Sequence, residues 1–317
     1  MIEAGKGRKW VVADEDAGVR LDKFLAADAR FGSRSRAAAS LERGQVFVND
    51  AEASLGDAGR RLGAGDRVRI WIDRPGSARR RGGRPAAPGA LRIVYEDDGI
   101  IVVDKPAGLL SVPLPRRGDE PTVFDSLIEH LRPRGKRKPL VVHRIDRDTS
   151  GLVVFATRPD VQERLKDQFR RREAERVYLA VVYGHPTPAS GRWRDYLAWD
   201  RKALVQKATS RLDPRGKEAE SRYRVVEEFA ETSLLEVRLV SGKRNQIRLQ
   251  ARLRGHTLVG ERRYTYGPDT LRPIEFSRQA LHAHRLGFND PATGRPLSFE
   301  SPLPEDLRDL LAELRRS

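Results

Sequence analysis

Residues 73–90, DRPGSARRRGGRPAAPGA, interrupt the apolar periodicity of the chain with proline, glycine, alanine and arginine. A segment of this composition is typical of a linker, because it offers little apolar surface to a folded core. With 317 residues, the chain also exceeds the usual size of one domain. We therefore predict a small domain over residues 1–72, a basic linker over 73–90 and a larger domain over 91–317.

The first segment has the pattern of a compact helix–helix–sheet module with its core over residues 18–72. Apolar spacing predicts helices over residues 21–29 and 33–43. Strands are predicted over residues 46–49, which end in the turn pair Asn49-Asp50, and over residues 67–72.

The second segment alternates strands with helices. Thr122 and Asp125 are spaced as a capping box for a helix over residues 122–131. Pro159 suits the first turn of a further helix, whose buried stripe is Val161, Leu165 and Phe169. Strands are predicted over residues 91–95, 100–104, 140–143, 151–156, 176–183, 222–228, 233–239, 280–288 and 297–299, and a terminal helix after Pro304. Their hairpin-like spacing predicts an α+β fold with a mixed, largely antiparallel sheet.

The charge balance points to a polyanionic partner. Sixty-one Lys and Arg residues against forty-five Asp and Glu residues leave a formal charge of +16. Most of the basic residues are arginine, which suits bidentate phosphate contacts and stacking on bases. A basic surface that serves only solubility is the alternative, and the charge alone favours RNA or DNA over it.

Cysteine and long apolar runs are both absent from the sequence. The lack of cysteine excludes disulfides, thiolate nucleophiles and zinc–sulfur sites, and it agrees with a reducing compartment. No run reaches the ~18 apolar residues of a membrane span, and the N-terminus lacks the apolar core of a signal peptide. We expect a cytoplasmic protein with no membrane partner.

The densest cluster of polar residues is His143-Arg-Ile-Asp-Arg-Asp-Thr-Ser-Gly151, between two apolar strands. Loops mounted on rigid strands are where functional groups concentrate. A salt-bridged turn, in which Gly151 relieves backbone strain, is the alternative interpretation.

A second cluster, Ser241-Gly-Lys-Arg-Asn-Gln-Ile-Arg248, is expected to open a helical run that ends near Gly255. On that interpretation Arg244, Arg248 and Arg252 share one helical face. Three like charges on one face repel each other, so RNA phosphates or the Asp146 loop are expected to compensate them. A solvated face is the alternative.

Three other chemistries are weaker. A two-metal nuclease would draw on acids interleaved with competing Arg and Lys: Asp97, Asp98, Asp104, Asp146 and Asp148. Serine hydrolysis lacks the G-x-S-x-G elbow. Histidine-based metal binding would rest on His282 and His284, which share a strand face but have no convincing third ligand. A packing or hydrogen-bonding role is the alternative for that histidine pair.

Several segments together resemble one family. His143-Arg-Ile-Asp-Arg-Asp-Thr-Ser-Gly-Leu152 resembles the H-R-L-D-x-x-T-S-G-L signature of RluA-type pseudouridine synthases. Four further matches occur in the family's order and spacing: residues 94–108 with the opening strand pair, 176–184 (RVYLAVVYG) with the tyrosine motif, 241–248 with T-G-R-x-H-Q-I-R, and 278–286 with the closing R-Q-A-L-H-A strand. Residues 18–72 similarly resemble a small RNA-binding module known from a small-subunit ribosomal protein.

The resemblance implies an enzyme that isomerises uridine to pseudouridine in RNA, with ribosomal RNA the first candidate substrate and transfer RNA the next. It implies Asp146 as the catalytic carboxylate, Tyr178 as a partner for the uracil and Arg248 as the electrostatic partner of Asp146. The reaction needs no metal or other cofactor, and we expect a monomer. The residues expected to contact RNA are Arg144, Lys243 and Arg244, together with Arg20, Lys23, Arg34, Arg36 and Arg43 of the first module.

This sequence departs from the family pattern at three places. Asn245 and Gln250 stand where the family has histidines, and Ser-Val-Pro113 replaces an apolar-His-Pro segment. We expect these positions to flank the pocket and to affect the choice of nucleotide more than the reaction. A non-catalytic RNA-binding or ribosome-assembly factor that retains the fold is the rival interpretation.

Overall fold

A computed structural model describes residues 8–42, 45–70, 91–113, 120–135, 138–200, 203, 205–264 and 273–316. The chain divides into two compact units, residues 1–84 and 85–317. The predicted linker at 73–90 and Arg43 lie outside the described residues.

The first unit contains two helices and a four-stranded antiparallel sheet within its described part. The helices are α1 (Leu21–Leu25) and α2 (Arg34–Glu42). The strands are β1 (Arg8–Val11), β2 (Val46–Val48), β3 (Ala51–Ala53) and β4 (Arg67–Ile70), in the order β1-β4-β2-β3. The two helices precede strands β2 and β4, as predicted. However, α1 is shorter than the predicted 21–29, and the sequence pattern missed β1 and β3.

The second unit is built on an eleven-stranded mixed sheet. Its strands are β5 (Arg92–Glu96), β6 (Ile100–Lys105), β7 (Leu140–Val141), β8 (Ser150–Ala156), β9 (Glu175–Tyr183), β10 (Ser190–Asp200), β11 (Val205–Thr209), β12 (Lys217–Glu228), β13 (Thr232–Leu239), β14 (Leu281–Asn289) and β15 (Pro296–Glu300). The main path is β11-β10-β12-β13-β9-β14-β8-β6-β5, with β15 beside β14 and β7 beside β8. Only the β14–β8 pairing is parallel among these described strands, so the predicted mixed, largely antiparallel α+β fold is confirmed.

Four helices cover the two faces of this sheet in the part of the chain that the structure describes. They are α3 (Val123–Leu131), α4 (Pro159–Arg170), α5 (Gln246–Leu253) and α6 (Glu305–Leu314). Helix α3 begins at the predicted cap, where the Thr122 hydroxyl accepts a hydrogen bond from the Asp125 amide. Helix α4 begins at Pro159, and its predicted stripe packs against the sheet. None of the described helices is long and apolar enough to span a bilayer.

Alternate side chains of the central strands pack into hydrophobic cores on opposite faces of the sheet, as expected for a sheet covered on both sides. Ile101 and Val103 of β6 pack with α3 and α5, whereas Ile100 and Val102 pack with α4. All four side chains are at most 1% exposed, and full burial of one such side chain contributes about 1.5–3 kcal/mol. This doubly covered strand pairs with β8, the strand into which the loop after β7 leads.

Candidate active site

The loop between β7 and β8, residues 142–149, carries Asp146 and is held from both sides. The Ser111 hydroxyl donates a hydrogen bond to the Ile145 carbonyl at 2.9 Å and accepts one from the Ile145 amide at 3.2 Å. Ser111 is one of the Ser-Val-Pro residues at which the sequence departs from the family pattern, and it supports the loop that carries Asp146 directly. The buried Ile145 side chain anchors the residue before Asp146 in the core.

A fully buried lysine holds the other side of the same loop. Lys105 ends β6, and its ammonium donates to the carbonyls of Pro106, Leu109 and Arg147 at 2.7–2.8 Å. Burial lowers the pKa of Lys105 to about 7, while the nearby carboxylates of Asp148 and Asp146 oppose this change. The three carbonyls satisfy the ammonium donors, so Lys105 ties two loops together where water is excluded.

Gly151 allows β8 to approach β14 closely at the end of the loop. Its φ is +108°, and a Cβ there would lie 2.2 Å from the Ala283 carbonyl oxygen. Next to it, the Ser150 hydroxyl and His282 Nδ1 are 3.0 Å apart. His282 Nε2 and His284 Nδ1 both bond to the Ser301 carbonyl, at 3.1 and 2.8 Å. This histidine pair thus engages in hydrogen bonds that connect β14 with its neighbours.

Arg248 lies between two carboxylates. Its Nη1 donates to Asp146 Oδ2 at 3.0 Å, while Nε and Nη2 donate to the two Glu261 oxygens, each at 2.6 Å. The Glu261 side chain is completely buried, and that of Arg248 is 10% exposed. The structure therefore brings Asp146 and Arg248 together as predicted, and it adds Glu261, which fixes the guanidinium from the opposite side.

The ion pair between Arg248 and Glu261 keeps both groups in their charged forms although both are buried. Burial alone would lower the pKa of Arg248, but the hydrogen bonds and charges of Glu261 and Asp146 raise it. For Glu261, burial acts to raise the pKa, yet Arg248 and the amides of Arg263 and Tyr264 hold it below its ordinary value. Both groups are therefore charged at neutral pH.

Tyr178, on β9, is 7% exposed and lines the same cavity as Asp146 and Arg248. Burial raises the pKa of Tyr178 to about 12; Asp146 acts in the same direction, and Arg176 acts against it. The phenol is therefore protonated at neutral pH and can donate a hydrogen bond. The three predicted catalytic residues, from β9, α5 and the loop before β8, meet in one cavity of about 660 Å³, which is within the usual range for ligand pockets.

Basic side chains line this cavity. Arg144, Lys243 and Arg244, which the sequence predicted as RNA contacts, are among them. Arg144 is exposed on the same loop as Asp146, two residues before it. The guanidinium of Arg244 lies 4.0 Å from the ring centroid of Trp199, a distance suited to a cation–π contact.

The predicted helical face of Arg244, Arg248 and Arg252 is wrong in one respect. Helix α5 begins only at Gln246, because Asn245 adopts a left-handed conformation with φ of 51°. Arg244 thus precedes the helix and stacks on Trp199. Arg248 is compensated within the protein, by Asp146 as expected and by Glu261.

The two replaced histidines have different surroundings. Asn245 lines the cavity as expected, and its amide bridges Arg248 Nη1 and the Tyr264 hydroxyl at 3.3 and 3.2 Å. Gln250 is fully buried directly behind the lining, where its side-chain oxygen accepts a hydrogen bond at 3.3 Å from Gln246, which lines the cavity. Its amide also bonds to Ser221, Trp193, Asp195 and Ala219, so of the two replaced histidines only Asn245 faces the cavity.

The predicted RNA contacts of the first unit lie on its surface. Arg20, Lys23, Arg34 and Arg36 are exposed on or beside α1 and α2. Arg20 is paired with Asp22, at 3.1 Å. Sequence reasoning assigned no role to Glu261 or to the Lys105 side chain, since neither a motif nor a periodic pattern marks Glu261 and the partners of Lys105 are backbone carbonyls.

Comparisons with known proteins agree on one family. The family described as RNA pseudouridylate synthase matches residues 99–253. An uncharacterised RNA pseudouridine synthase of Bacillus subtilis, YlyB, is 34% identical over 96% of this chain and 97% of its own length. The ribosomal large subunit pseudouridine synthase D of Neisseria meningitidis is 36% identical over 95% of this chain and 80% of its own.

A solved structure shares the fold. The human RNA pseudouridylate synthase domain containing 4 matches with a TM-score of 0.58 and 18% sequence identity, over 71% of this chain and 93% of that one.

Proposed function

Since the chain belongs to the RluA-type RNA pseudouridine synthase family and is an isomerase that acts on RNA, we propose that it modifies ribosomal RNA with Asp146 as its catalytic carboxylate. The observation that carries this proposal is the ion pair at 3.0 Å between Asp146 and Arg248, in a cavity that Tyr178 also lines. The ribosomal substrate is supported by the relatives named for the large ribosomal subunit. Transfer RNA is the second candidate.

The reaction breaks the bond from ribose to the uracil nitrogen, turns the uracil and rejoins it through carbon. A fixed carboxylate suits this chemistry either as a nucleophile at the sugar or as a base that removes a sugar proton. Arg248 orients Asp146 for both roles, because it presents one N–H to Asp146 while Glu261 occupies Nε and Nη2. The chemistry itself calls for no metal or other cofactor.

Tyr178 is proposed to hold the uracil while it is detached. Its ring offers a face for stacking. Because the hydroxyl is protonated at neutral pH, it can also donate a hydrogen bond or a proton to the base. Arg144 is exposed two residues before Asp146 on the same loop, where it can hold phosphate or fill the space that a flipped nucleotide leaves. Flipping the nucleotide out costs a few kcal/mol.

The division of labour is proposed to follow the domains expected from the sequence. Residues 1–72 bind RNA through phosphate contacts, 73–90 act as a linker, and 91–317 perform the chemistry. Exposed Arg20, Lys23, Arg34 and Arg36 support the first role, and Arg43, Lys243 and Arg244 complete the proposed RNA contacts. We expect the enzyme to act as a monomer in the cytoplasm.

The test maps pseudouridines in all cellular RNA of a strain that lacks this protein. Plasmid copies then supply the wild type, Asp146→Asn or the control Asp148→Asn. Asp148 is on the same loop, but its side chain is ion-paired with Arg147 at 3.2 Å and is absent from the described cavity lining. The wild type and Asp148→Asn should restore a ribosomal pseudouridine that Asp146→Asn does not, although Asp146→Asn still binds RNA. Restoration by Asp146→Asn would contradict the catalytic assignment, and a site only in transfer RNA would contradict the substrate.

A further inference from the structure

Arg176, at the start of β9, is a buried cation that points to a ligand. The residue is 8% exposed, and it lines the cavity together with Asp146 and Tyr178. Its Nε is buried without a hydrogen-bond partner, and Nη2 reaches only the Val240 carbonyl at 3.5 Å. No carboxylate among the described residues lies within ion-pair distance of the guanidinium.

The other two buried arginines of the described chain show what a satisfied guanidinium looks like. Arg248 forms two hydrogen bonds with Glu261 and one with Asp146. Arg278, 6% exposed, forms two with Asp306, at 2.6 and 2.9 Å. An unpaired buried ion costs several kcal/mol of desolvation, and Arg176 differs from Arg248 and Arg278 in having no carboxylate partner among the described residues.

The surroundings hold the Arg176 guanidinium in place without neutralising it. Gly242 leaves room for it, because a Cβ at this position would lie 2.4 Å from Arg176 Nη1. The guanidinium carbon lies 5.3 Å from the ring centroid of Phe169, which also lines the cavity. Lys243 and Arg172 also line the cavity and add positive charge to it. Burial lowers the pKa of Lys243, and the positive charges of Arg172 and Lys217 lower it further. This part of the cavity is therefore shaped and charged for an anion.

We propose that Arg176 anchors a phosphate subsite inside the catalytic cavity, which binds a backbone phosphate of the substrate RNA next to the reacting uridine. The guanidinium fork matches two phosphate oxygens, and the phosphate supplies the charge that the neutral uridine lacks. The subsite rests on the proposed function in taking RNA as its ligand, and it adds a contact within the cavity to those of the first unit. Arg176 thus positions the nucleotide, while Asp146 acts on it.

The first experiment compares full-length wild type with Arg176→Met and Arg238→Met. Arg238, on the neighbouring strand β13, is exposed and outside the described cavity lining, so both variants lose one positive charge. Without phosphate, Arg176→Met should melt at or above the wild-type temperature, since a buried unpaired charge is gone. Inorganic phosphate, added to a chloride buffer at constant ionic strength, should raise the melting temperature of wild type and Arg238→Met but not of Arg176→Met. Absence of a shift in wild type, or an equal shift in Arg176→Met, overturns the proposal.

The second experiment uses ribosomal RNA from the deletion strain as substrate. Loss of a charged hydrogen bond is worth about a tenfold to hundredfold change in affinity. Arg176→Met should raise KM and the dissociation constant by this factor and leave kcat nearly unchanged, and Arg176→Lys should recover part of the affinity. A fall in kcat at unchanged affinity would mean that the charge serves the detached uracil, and destabilisation at unchanged affinity would mean a structural role. Either result overturns the subsite without affecting the assignment of Asp146, which the asparagine variant tests separately.

Discussion

Glu261→Gln tests whether the carboxylate behind Arg248 sets the geometry of Asp146. The substitution preserves the shape of the side chain and removes its charge. Glu261 accepts two hydrogen bonds from Arg248, at 2.6 Å each, and its side chain is completely buried. Without this anchor, Arg248 has Asp146 as its only carboxylate among the described residues, so the guanidinium is drawn towards the acid that performs the chemistry.

The expected loss of stability follows from the burial of the pair. Removing one partner of a buried ion pair costs about 3–5 kcal/mol, and we expect about 3 kcal/mol because Asp146 still compensates Arg248. In a unit the size of residues 85–317, each 1 kcal/mol shifts the melting temperature by about 2–4 °C, so the decrease should be about 6–12 °C. Displacement of Asp146 should also lower kcat, by up to about a hundredfold, with little change in RNA affinity.

The chain offers a control with the same contact geometry on its surface. Glu227 accepts two hydrogen bonds from Arg315, at 2.8 and 2.7 Å, and its side chain is 33% exposed. Glu227→Gln should cost less than about 1 kcal/mol, because water screens an exposed pair. Thermal unfolding and single-turnover kinetics of both variants give the comparison. Equal stability losses, or a Glu261→Gln enzyme with wild-type kcat, would refute the reasoning.

The same pair predicts a dependence of stability on pH. Because Arg248 and two amides hold the pKa of Glu261 below its ordinary value of 4.5, the unfolded chain takes up the proton first as the pH falls. The stabilisation from Glu261 is therefore complete above that ordinary value and is lost as the pH falls through the lower, folded pKa. Unfolding free energies measured below pH 5 should decline less steeply in Glu261→Gln than in wild type. Parallel declines would show that Glu261 does not titrate in this way.

Two further predictions concern the cofactor and the first unit. The isomerisation has an internal leaving group, so turnover should persist in excess chelator without added nucleotide; a loss that magnesium restores, with RNA folding unchanged by an independent probe, would indicate a metal requirement. Replacing Lys23, Arg34 and Arg36 together by glutamine in the full-length chain should lower the slope of log affinity against log salt. The decrease should be about 0.7 for each phosphate of single-stranded RNA that the variant no longer binds, with kcat at saturating RNA unchanged. An unchanged slope in filter-binding titrations would mean that these side chains do not bind phosphates.

The sequence predicted those helices and strands whose formation depends on residues within the same segment. The stripe of α4 and the Thr122 cap of α3 follow from spacing within one helix. Strand β10 was missed because its exposed half carries charged residues among its apolar ones, so neither a continuous run nor a clean alternation appears. It is a strand because β11 and β12 pair with it on both sides, and such pairing is not encoded in its own residues.

The candidate site divides in the same way. Asp146, Tyr178 and Arg248 each lie within a contiguous sequence motif, so the resemblance to the family was enough to assign a role to each of them. Glu261 could not be found in this way, because its partner lies 13 residues earlier and only the fold brings the two together. Arg176 also lies in a matching motif. What sets it apart is that no carboxylate among the described residues pairs with it, and this can be recognised only when its neighbours in the fold are known.

The two buried arginines of the cavity, Arg248 and Arg176, differ in their carboxylate partners, and we assign one to the chemistry and the other to RNA binding. Arg248 has two carboxylates, so the group formed with Asp146 and Glu261 carries one net negative charge. Arg176 has none within ion-pair distance among the described residues and lies in a lining with Lys243 and Arg172. If Arg248 had only Asp146, the acid would be held in a closed ion pair and would be a weaker nucleophile or base. If Arg176 had its own acid, the cavity would repel the phosphate that must accompany the uridine. On the proposed assignments, the site therefore requires a second carboxylate at Arg248 and no carboxylate at Arg176. The two substitutions should differ in effect. Glu261→Gln should lower kcat, whereas Arg176→Met should raise KM.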